Sequence, residues 1–160
     1  MNPLIEALDI SKRFTVSDGF LGKKAVHLQA VDAVSFSVNR GETLGLVGES
    51  GSGKSTVGNI LLRLLDADGG QVIFNGEEIL SLSEKAFQPY RGKLQVVFQD
   101  PLSSLDPRMT VKKIVGYPLR IRRKLKATAL EEKVLEVLKA VGLSEEHLDR
   151  YPHEFSGGQR

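Results

Sequence analysis

Gly48-Glu49-Ser50-Gly51-Ser52-Gly53-Lys54-Ser55-Thr56 decides how the rest of this chain is read, with an apolar run at 43–47 before it and helix-periodic residues at 57–65 after it. It fits G-x-x-x-x-G-K-[ST] at Gly48, Gly53, Lys54 and Ser55. A nucleoside triphosphate packs several negative charges onto closely spaced oxygens, so its binder needs backbone N–H groups converging on them without side chains in the way. Glycines permit that approach. A helix that opens directly after the loop points its unpaired amides and positive dipole end at the phosphates. In this pattern Lys54 reaches the β- and γ-phosphates and the Ser55 hydroxyl ligates Mg²⁺, with Glu49, Ser50, Gly51, Ser52 and Thr56 completing the cradle. The prediction is a buried strand, a phosphate loop and a helix, in that order.

Composition sets the outer limits. With 160 residues, 41% hydrophobic and 26% charged, the chain has the make-up of a soluble globular protein with one sizeable core. A formal net charge of +2 is too small to argue for nucleic acid, and the lack of cysteine excludes disulfides and thiolate metal sites. Residues 1–10 lack the basic start and apolar stretch of a signal peptide, and no run approaches the ~18 apolar residues of a membrane span.

Residues 4–10 read as a strand, and 17–24, rich in Gly, Lys and small polar residues, as a hairpin tip or surface loop. Residues 31–38 alternate, with Val34, Phe36 and Val38 on the apolar side, before Asn39-Arg40-Gly41-Glu42 turns the chain toward the phosphate loop. Val57, Ile60, Leu61, Leu64 and Leu65 give the next helix one core-facing side, ended by Asp66-Ala67-Asp68-Gly69-Gly70. A strand at 71–74 with Asn75-Gly76 predicts a hairpin over 72–79, and Ser81 with Glu84 predicts a capped short helix. Leu-Gln-Val-Val-Phe-Gln at 94–99 reads as a second buried strand. Beyond it the texture turns helical. Thr110 caps a helix that Pro118 should break or kink, and Thr128 with Glu131 caps another, whose stripe runs through Leu130, Val134, Leu135, Leu138 and Val141 to Gly142. Ser144 starts a further short helix ending before Pro152.

Phe155-Ser156-Gly157-Gly158-Gln159-Arg160 makes a second small-residue loop able to approach phosphate, although Ser-Gly-Gly also occurs in ordinary turns. Cradle, then Gln99 at the end of a strand, then a helical stretch, then Ser-Gly-Gly-Gln is an order that closely resembles the ATP-binding-cassette (ABC) ATPases over nearly the whole chain. By that resemblance the glycine loop is like their Walker A motif, Gln99 like the Q-loop glutamine, and 155–159 like the signature motif, with Phe155 replacing the usual Leu. The resemblance implies ATP and Mg²⁺ as ligands and a head-to-tail dimer with a second ATPase subunit, identical or paralogous. Ser156, Gly157 and Gly158, with Gln159 beside them, would bind the γ-phosphate of ATP held by the other subunit. Gln99 would contact Mg²⁺ and the attacking water while relaying nucleotide state to the helical subdomain. Lys54, Gln99, Ser156 and Gly158 therefore carry the catalytic expectation, and Ser55 and Gln99 the metal expectation. Family members place an aromatic, often Tyr, where Phe14 stands, to stack on adenine, and Phe keeps the ring face while losing the hydroxyl.

Three further features bear on branch and partners. The segments Val-Val-Phe-Gln-Asp-Pro-Leu-Ser-Ser-Leu-Asp-Pro-Arg-Met-Thr-Val and Tyr-Pro-His-Glu-Phe-Ser-Gly-Gly-Gln-Arg, with the long loop between Phe14 and Ala30, look like the oligopeptide and dipeptide importers, whose relatives also import nickel or glutathione. That branch implies ATP-powered peptide import from the cytoplasmic face of the membrane, with transmembrane permease subunits and, indirectly, an extracytoplasmic solute-binding protein. Between 108 and 126 lie Lys112, Lys113, Arg120, Arg122, Arg123, Lys124 and Lys126 without one acid, either a solvated face or a surface for anionic lipid or partner carboxylates. With little aromatic interleaving, nucleic acid is not expected. His27, His147 and His153 are spaced unlike a metal site.

In this family an apolar strand ending in Asp-Glu, a dimer-contact loop and a switch histidine follow the signature motif, whereas this sequence stops at Arg160. The expectation is an incomplete domain that binds nucleotide weakly, turns over slowly and exposes apolar sheet edges. The expected fold is α/β: a P-loop NTPase core with mainly parallel strands and the Q-loop at 43–108, an antiparallel β subdomain at 1–42, and a helical subdomain with the signature motif at 109–160. Together these form a truncated ABC nucleotide-binding domain. A soluble ABC-type ATPase without a membrane partner, and a small-molecule kinase in which Ser-Gly-Gly-Gln is coincidental, are the rival classes.

Overall fold

The computed structural model describes residues 2–17, 26–98, 104–123, 125 and 127–160, so Gln99, nearly all of the 17–24 loop, and Lys124 and Lys126 lie outside the described residues. The chain divides into two compact units, Met1–Val96 and Val97–Arg160.

In the first unit, β1 (Ile5–Ser17) and β2 (Val26–Val38) form a long antiparallel pair. On the other edge of β1 lies β3 (Gly69–Phe74), which pairs in turn with β4 (Glu77–Glu78), giving the order β2-β1-β3-β4. The alternation in β2 is real: Val34, Phe36 and Val38 are half-buried while Asp32, Ser35 and Ser37 are exposed. Asn75 and Gly76 both take positive φ, 57° and 84°, the mirror-image turn whose twist matches the flanking strands of the hairpin. Helix α1 (Lys54–Leu61) buries Val57 and Ile60 against Ala7, Ile10, Val31, Val72, Phe74, Ile79 and Phe87. Each fully buried aliphatic or aromatic side chain there contributes about 1.5–3 kcal/mol of transfer free energy.

Several local readings shift. Helix α1 starts earlier than its apolar periodicity and stops at Leu61, since Arg63 has φ 51°. Helix α2 (Glu84–Phe87) is capped by Ser83, whose Oγ accepts from the Ala86 N–H at 3.3 Å. Ser81 instead gives its N–H to the Glu78 carboxylate at 2.9 Å. The larger difference concerns the two segments expected as buried core strands. Residues 43–47 and 95–98 belong to no strand, and all strand pairs among the described residues are antiparallel. Leu44, Leu46 and Val47 are 45%, 47% and 94% exposed, and Val96, Val97 and Phe98 are 42%, 89% and 52% exposed. A strand satisfies its N–H and C=O groups only by pairing with neighbours, so apolar content alone does not make one. Beside Leu44 and Leu46 runs an apolar groove of about 520 Å³, lined also by Ile5, Phe36, Val38, Val57 and Leu61.

The second unit is helical. Helix α3 (Val111–Arg123) packs Val111, Val115 and Leu119 against Leu130, Val134 and Leu138 of α4 (Ala127–Ala140), together with Leu143 and Leu148. The first amides of α3 donate to chain rather than to solvent: Val111 N–H to the Arg150 carbonyl at 2.9 Å and Lys112 N–H to that of Leu148 at 2.8 Å. Pro118 does not end α3; it sits exposed, where the core contacts of Val115 and Leu119 hold the helix on either side of it. Thr128 lies inside α4 instead of at its cap, and Glu131 pairs with Lys112 at 2.5 Å. Ser144 does cap a short helical turn, Glu145–His147, through a reciprocal box with His147, and a further turn follows at Pro152–Glu154.

Candidate nucleotide site

The phosphate loop owes its path to two glycines with positive φ, Gly51 at 84° and Gly53 at 90°. A Cβ on Gly53 would fall on the Ala30 carbonyl oxygen of β2, closer than any contact permits, with the Val31 side chain at 3.6 Å. The turn into α1 is therefore pressed against the sheet, and only glycine fits. Lys54 folds back over the loop it follows: its Nζ donates to the carbonyls of Gly48 at 2.8 Å and Glu49 at 2.5 Å, with the Ser52 hydroxyl at 3.3 Å. The loop thus curls around an ammonium.

Helix α1 begins without a side-chain cap on Gly53 and without an acid in its first turn, so its leading amides remain for an anion. Residues 48–52 and Ser55 are exposed, which leaves the backbone of the loop and one hydroxyl open to a ligand. Backbone donors, a lysine and a serine hydroxyl at a helix N-terminus match the charge and donor needs of a triphosphate with its magnesium ion.

Phe14 lies on β1 opposite Leu28, two residues beyond the pairing of Lys12 with Val31, whose side chain a Cβ on Gly53 would meet. Its ring is 38% exposed, with the Lys12 ammonium 5.8 Å from the centroid. Sequence reasoning passed over Asp68 as part of a helix end. Its carboxylate accepts from Lys12 Nζ at 2.8 Å and from the Arg13 N–H at 2.7 Å. The Lys12 hydrogen bond and then the Arg13 amide hold the Asp68 carboxyl below its ordinary value of 3.8. An acid directly before the glycines that start a strand was the available signal.

The second glycine loop lies in the helical unit. Phe155 is buried, its ring 5.5 Å from that of His147, and Ser156 follows on the surface. The Gln159 side-chain oxygen accepts from both the Ser156 N–H, at 3.0 Å, and its hydroxyl, at 3.1 Å, while the Ser156 carbonyl accepts from the amides of Gln159 and Arg160. A Cβ on Gly157 or Gly158 would meet nothing within 4 Å.

A glycine loop wound around a lysine at the open start of a helix, set against a sheet, is the architecture of phosphate-loop nucleotide-binding proteins. The family model described as "ABC transporter" matches residues 31–160, and the chain belongs to that family. It is 47% identical over 158 residues to the glutathione import ATP-binding protein GsiA of Escherichia coli (strain K12), and 48% identical to that of Salmonella paratyphi A (strain ATCC 9150 / SARB42). In both cases the match takes in 99% of this chain and 25% of the relative, so the chain spans about a quarter of the length of these curated relatives. Among solved structures it is similar to the ATP-binding cassette MJ0796 in a dimeric, post-hydrolysis state bound to ADP and Pi. That match has TM-score 0.75 and 26% identity, over 97% of this chain and 64% of that one. CbiO1 from Clostridium perfringens, part of the ABC transporter complex cbiONQ, has the same fold, with TM-score 0.73 and 24% identity over 99% of this chain and 58% of that one. The fold is that of an ABC ATPase nucleotide-binding domain, with its antiparallel sheet, phosphate loop and helices present among the described residues.

Proposed function

We propose that this chain is the nucleotide-binding part of an ABC ATPase subunit that powers peptide-class solute import from the cytoplasmic face of the membrane. The curled loop 48–53 around Lys54, at the uncapped start of α1, carries the proposal. ATP displaces the carbonyls of Gly48 and Glu49 as partners of the Lys54 ammonium, exchanging neutral acceptors for charged phosphate oxygens. The loop amides and α1 take up the remaining phosphate charge, Ser55 holds Mg²⁺, and Phe14 stacks on the base. When bound, the magnesium ion neutralises charge developing on the phosphates. Gln99 positions the water, and Ser156 to Gly158 close over the γ-phosphate held by a second ATPase subunit in a head-to-tail dimer.

The names of the 47–48% identical relatives, glutathione import ATP-binding proteins, support a peptide-class cargo. Transmembrane permease partners and an extracytoplasmic binding protein belong to the same proposal. No helix among the described residues is long and apolar enough to cross a membrane. The test uses the full-length protein expressed with its neighbouring membrane subunits. Detergent-stable co-purification and ATP hydrolysis that rises with peptide-loaded binding protein are expected. Robust ATPase activity with no membrane partner would instead support a soluble ABC-type ATPase, and phosphate transferred to a small acceptor would overturn the ATPase assignment.

A further inference from the structure

We propose that Asp68 is a positioning residue for the nucleotide base, acting through Phe14. The inference rests on the stacking role proposed for that ring.

Strand β1 loses its regularity before its midpoint: its register against β2 already slips between Ala7 and Ile10, and that against β3 between Leu8 and Ser11. Its ladder with β3 ends at Ser11 opposite Gly69, and its register against β2 slips between Ile10 and Lys12 and again between Lys12 and Arg13. Bulges bend and twist a strand and leave its amides unpaired, so the aim of the next side chain depends on what fixes the backbone there. Phe14 is that next side chain.

On the β3 side one residue bonds to all three preceding positions, while β2 continues to pair with Lys12, Arg13 and Phe14 on the other. The Asp68 N–H donates to the Ser11 carbonyl at 2.9 Å, Lys12 Nζ donates to Asp68 Oδ1 at 2.8 Å, and the Arg13 N–H donates to Asp68 Oδ2 at 2.7 Å. The carboxylate continues the sheet edge where the chain of β3 has already turned away. It also pins the ammonium of Lys12, a side chain only 13% exposed, at the place from which it faces the Phe14 ring. Because Asp68 lies seven residues past the last residue of α1, the same carboxylate ties the ring-bearing strand to the segment leaving the phosphate-loop helix. The base-stacking and phosphate-gripping elements thereby keep a fixed separation, which is what binding a nucleotide at both ends demands.

The experiment compares MgATP with inorganic tripolyphosphate and Mg²⁺ by calorimetry on the full-length protein. Asp68→Ala is expected to weaken MgATP between about threefold and tenfold, a fraction of the worth of one base stacked on an aromatic ring. Tripolyphosphate, which has no base, keeps its affinity. Asp68→Asn, which preserves an acceptor for the Arg13 amide, gives a smaller loss of the same kind and guards against a folding defect. In the Phe14→Ala background Asp68→Ala adds nothing further. Equal losses for both ligands would mean a general structural role and overturn the proposal. So would a Phe14→Ala loss unaccompanied by an Asp68→Ala loss. If Phe14→Ala itself leaves the ratio of the two affinities unchanged, the stacking role fails first and takes the positioning role with it.

Discussion

Gly53 and Gly158 stand in two loops built from the same small residues, yet a Cβ on the first would overlap the Ala30 carbonyl and one on the second would meet nothing within 4 Å. Gly53 also needs φ of +90°, whereas Gly157 and Gly158 need no positive φ. The first loop requires its glycine to exist at all. The second keeps its shape by other means, with the Gln159 amide oxygen tied to Ser156. On the proposed reading, the open space at Gly158 admits a phosphate group held by another subunit. Glycine in the first loop is therefore a folding constraint, whereas in the second the fold imposes none.

The largest effect expected from this contrast is that of Gly53→Ala. A strained αL alanine plus a backbone overlap should cost about 3 kcal/mol or more of unfolding free energy. Denaturant unfolding measures it, and a variant as stable as the parent would erase the distinction between the loops.

Lys54→Ala comes next and separates binding from folding. The ammonium accepts its place from carbonyls in an exposed loop, so water can replace it and the unfolding midpoint should barely move. MgATP affinity, in contrast, should fall by about tenfold or more with loss of a charge-assisted contact to phosphate. Unchanged affinity in calorimetry would remove the cradle from the proposed function.

The sequence made these loops legible because each rests on local chemistry. The order of Gly48, Gly53, Lys54 and Ser55 dictates the curl, Asn75-Gly76 dictates the hairpin, and Ser144 marks its own helical turn. What it misread depends on distant partners. Residues 43–47 and 95–98 have the apolar content of core strands, but pairing is a property of neighbours, and among the described residues these segments have none. Of the break or kink expected at Pro118 the break does not occur, because tertiary packing of Val115 and Leu119 carries α3 through it. Asp68 escaped notice because its worth lies in residues 55 and 56 positions away, which no local pattern announces.

Gly158→Ala tests the other side of the comparison. Nothing within 4 Å opposes the added methyl, so stability should stay within about 0.5 kcal/mol of the parent. ATP hydrolysis by the full-length dimer should fall by about tenfold or more if a preorganised phosphate contact is lost, while nucleotide affinity of a lone subunit holds. A methyl tolerated in both assays would make the second loop an ordinary turn.

The smallest effects concern two aspartates that differ as the loops do. Asp68 and Asp106 are both held below the ordinary 3.8, by the Lys12 side chain and then the Arg13 amide in the first case, and by the Arg108 side chain and amide in the second. Asp106 joins residues two apart, whereas Asp68 joins residues 55 and 56 apart, so only the second constrains the chain over a distance. A carboxylate whose folded pKa is depressed adds stability that is fully present above the unfolded value and disappears as pH falls through the folded one. Asp68→Asn should therefore lower the thermal midpoint by a constant, small amount from neutral pH down to about pH 5, and the gap should close only below 3.8. Asp106→Asn should show a smaller gap with the same sign, because its partner Arg108 is exposed and close in sequence. An Asp68→Asn gap that widened on acidification would require the carboxyl to be held above its ordinary range, which two donors at 2.7 and 2.8 Å oppose.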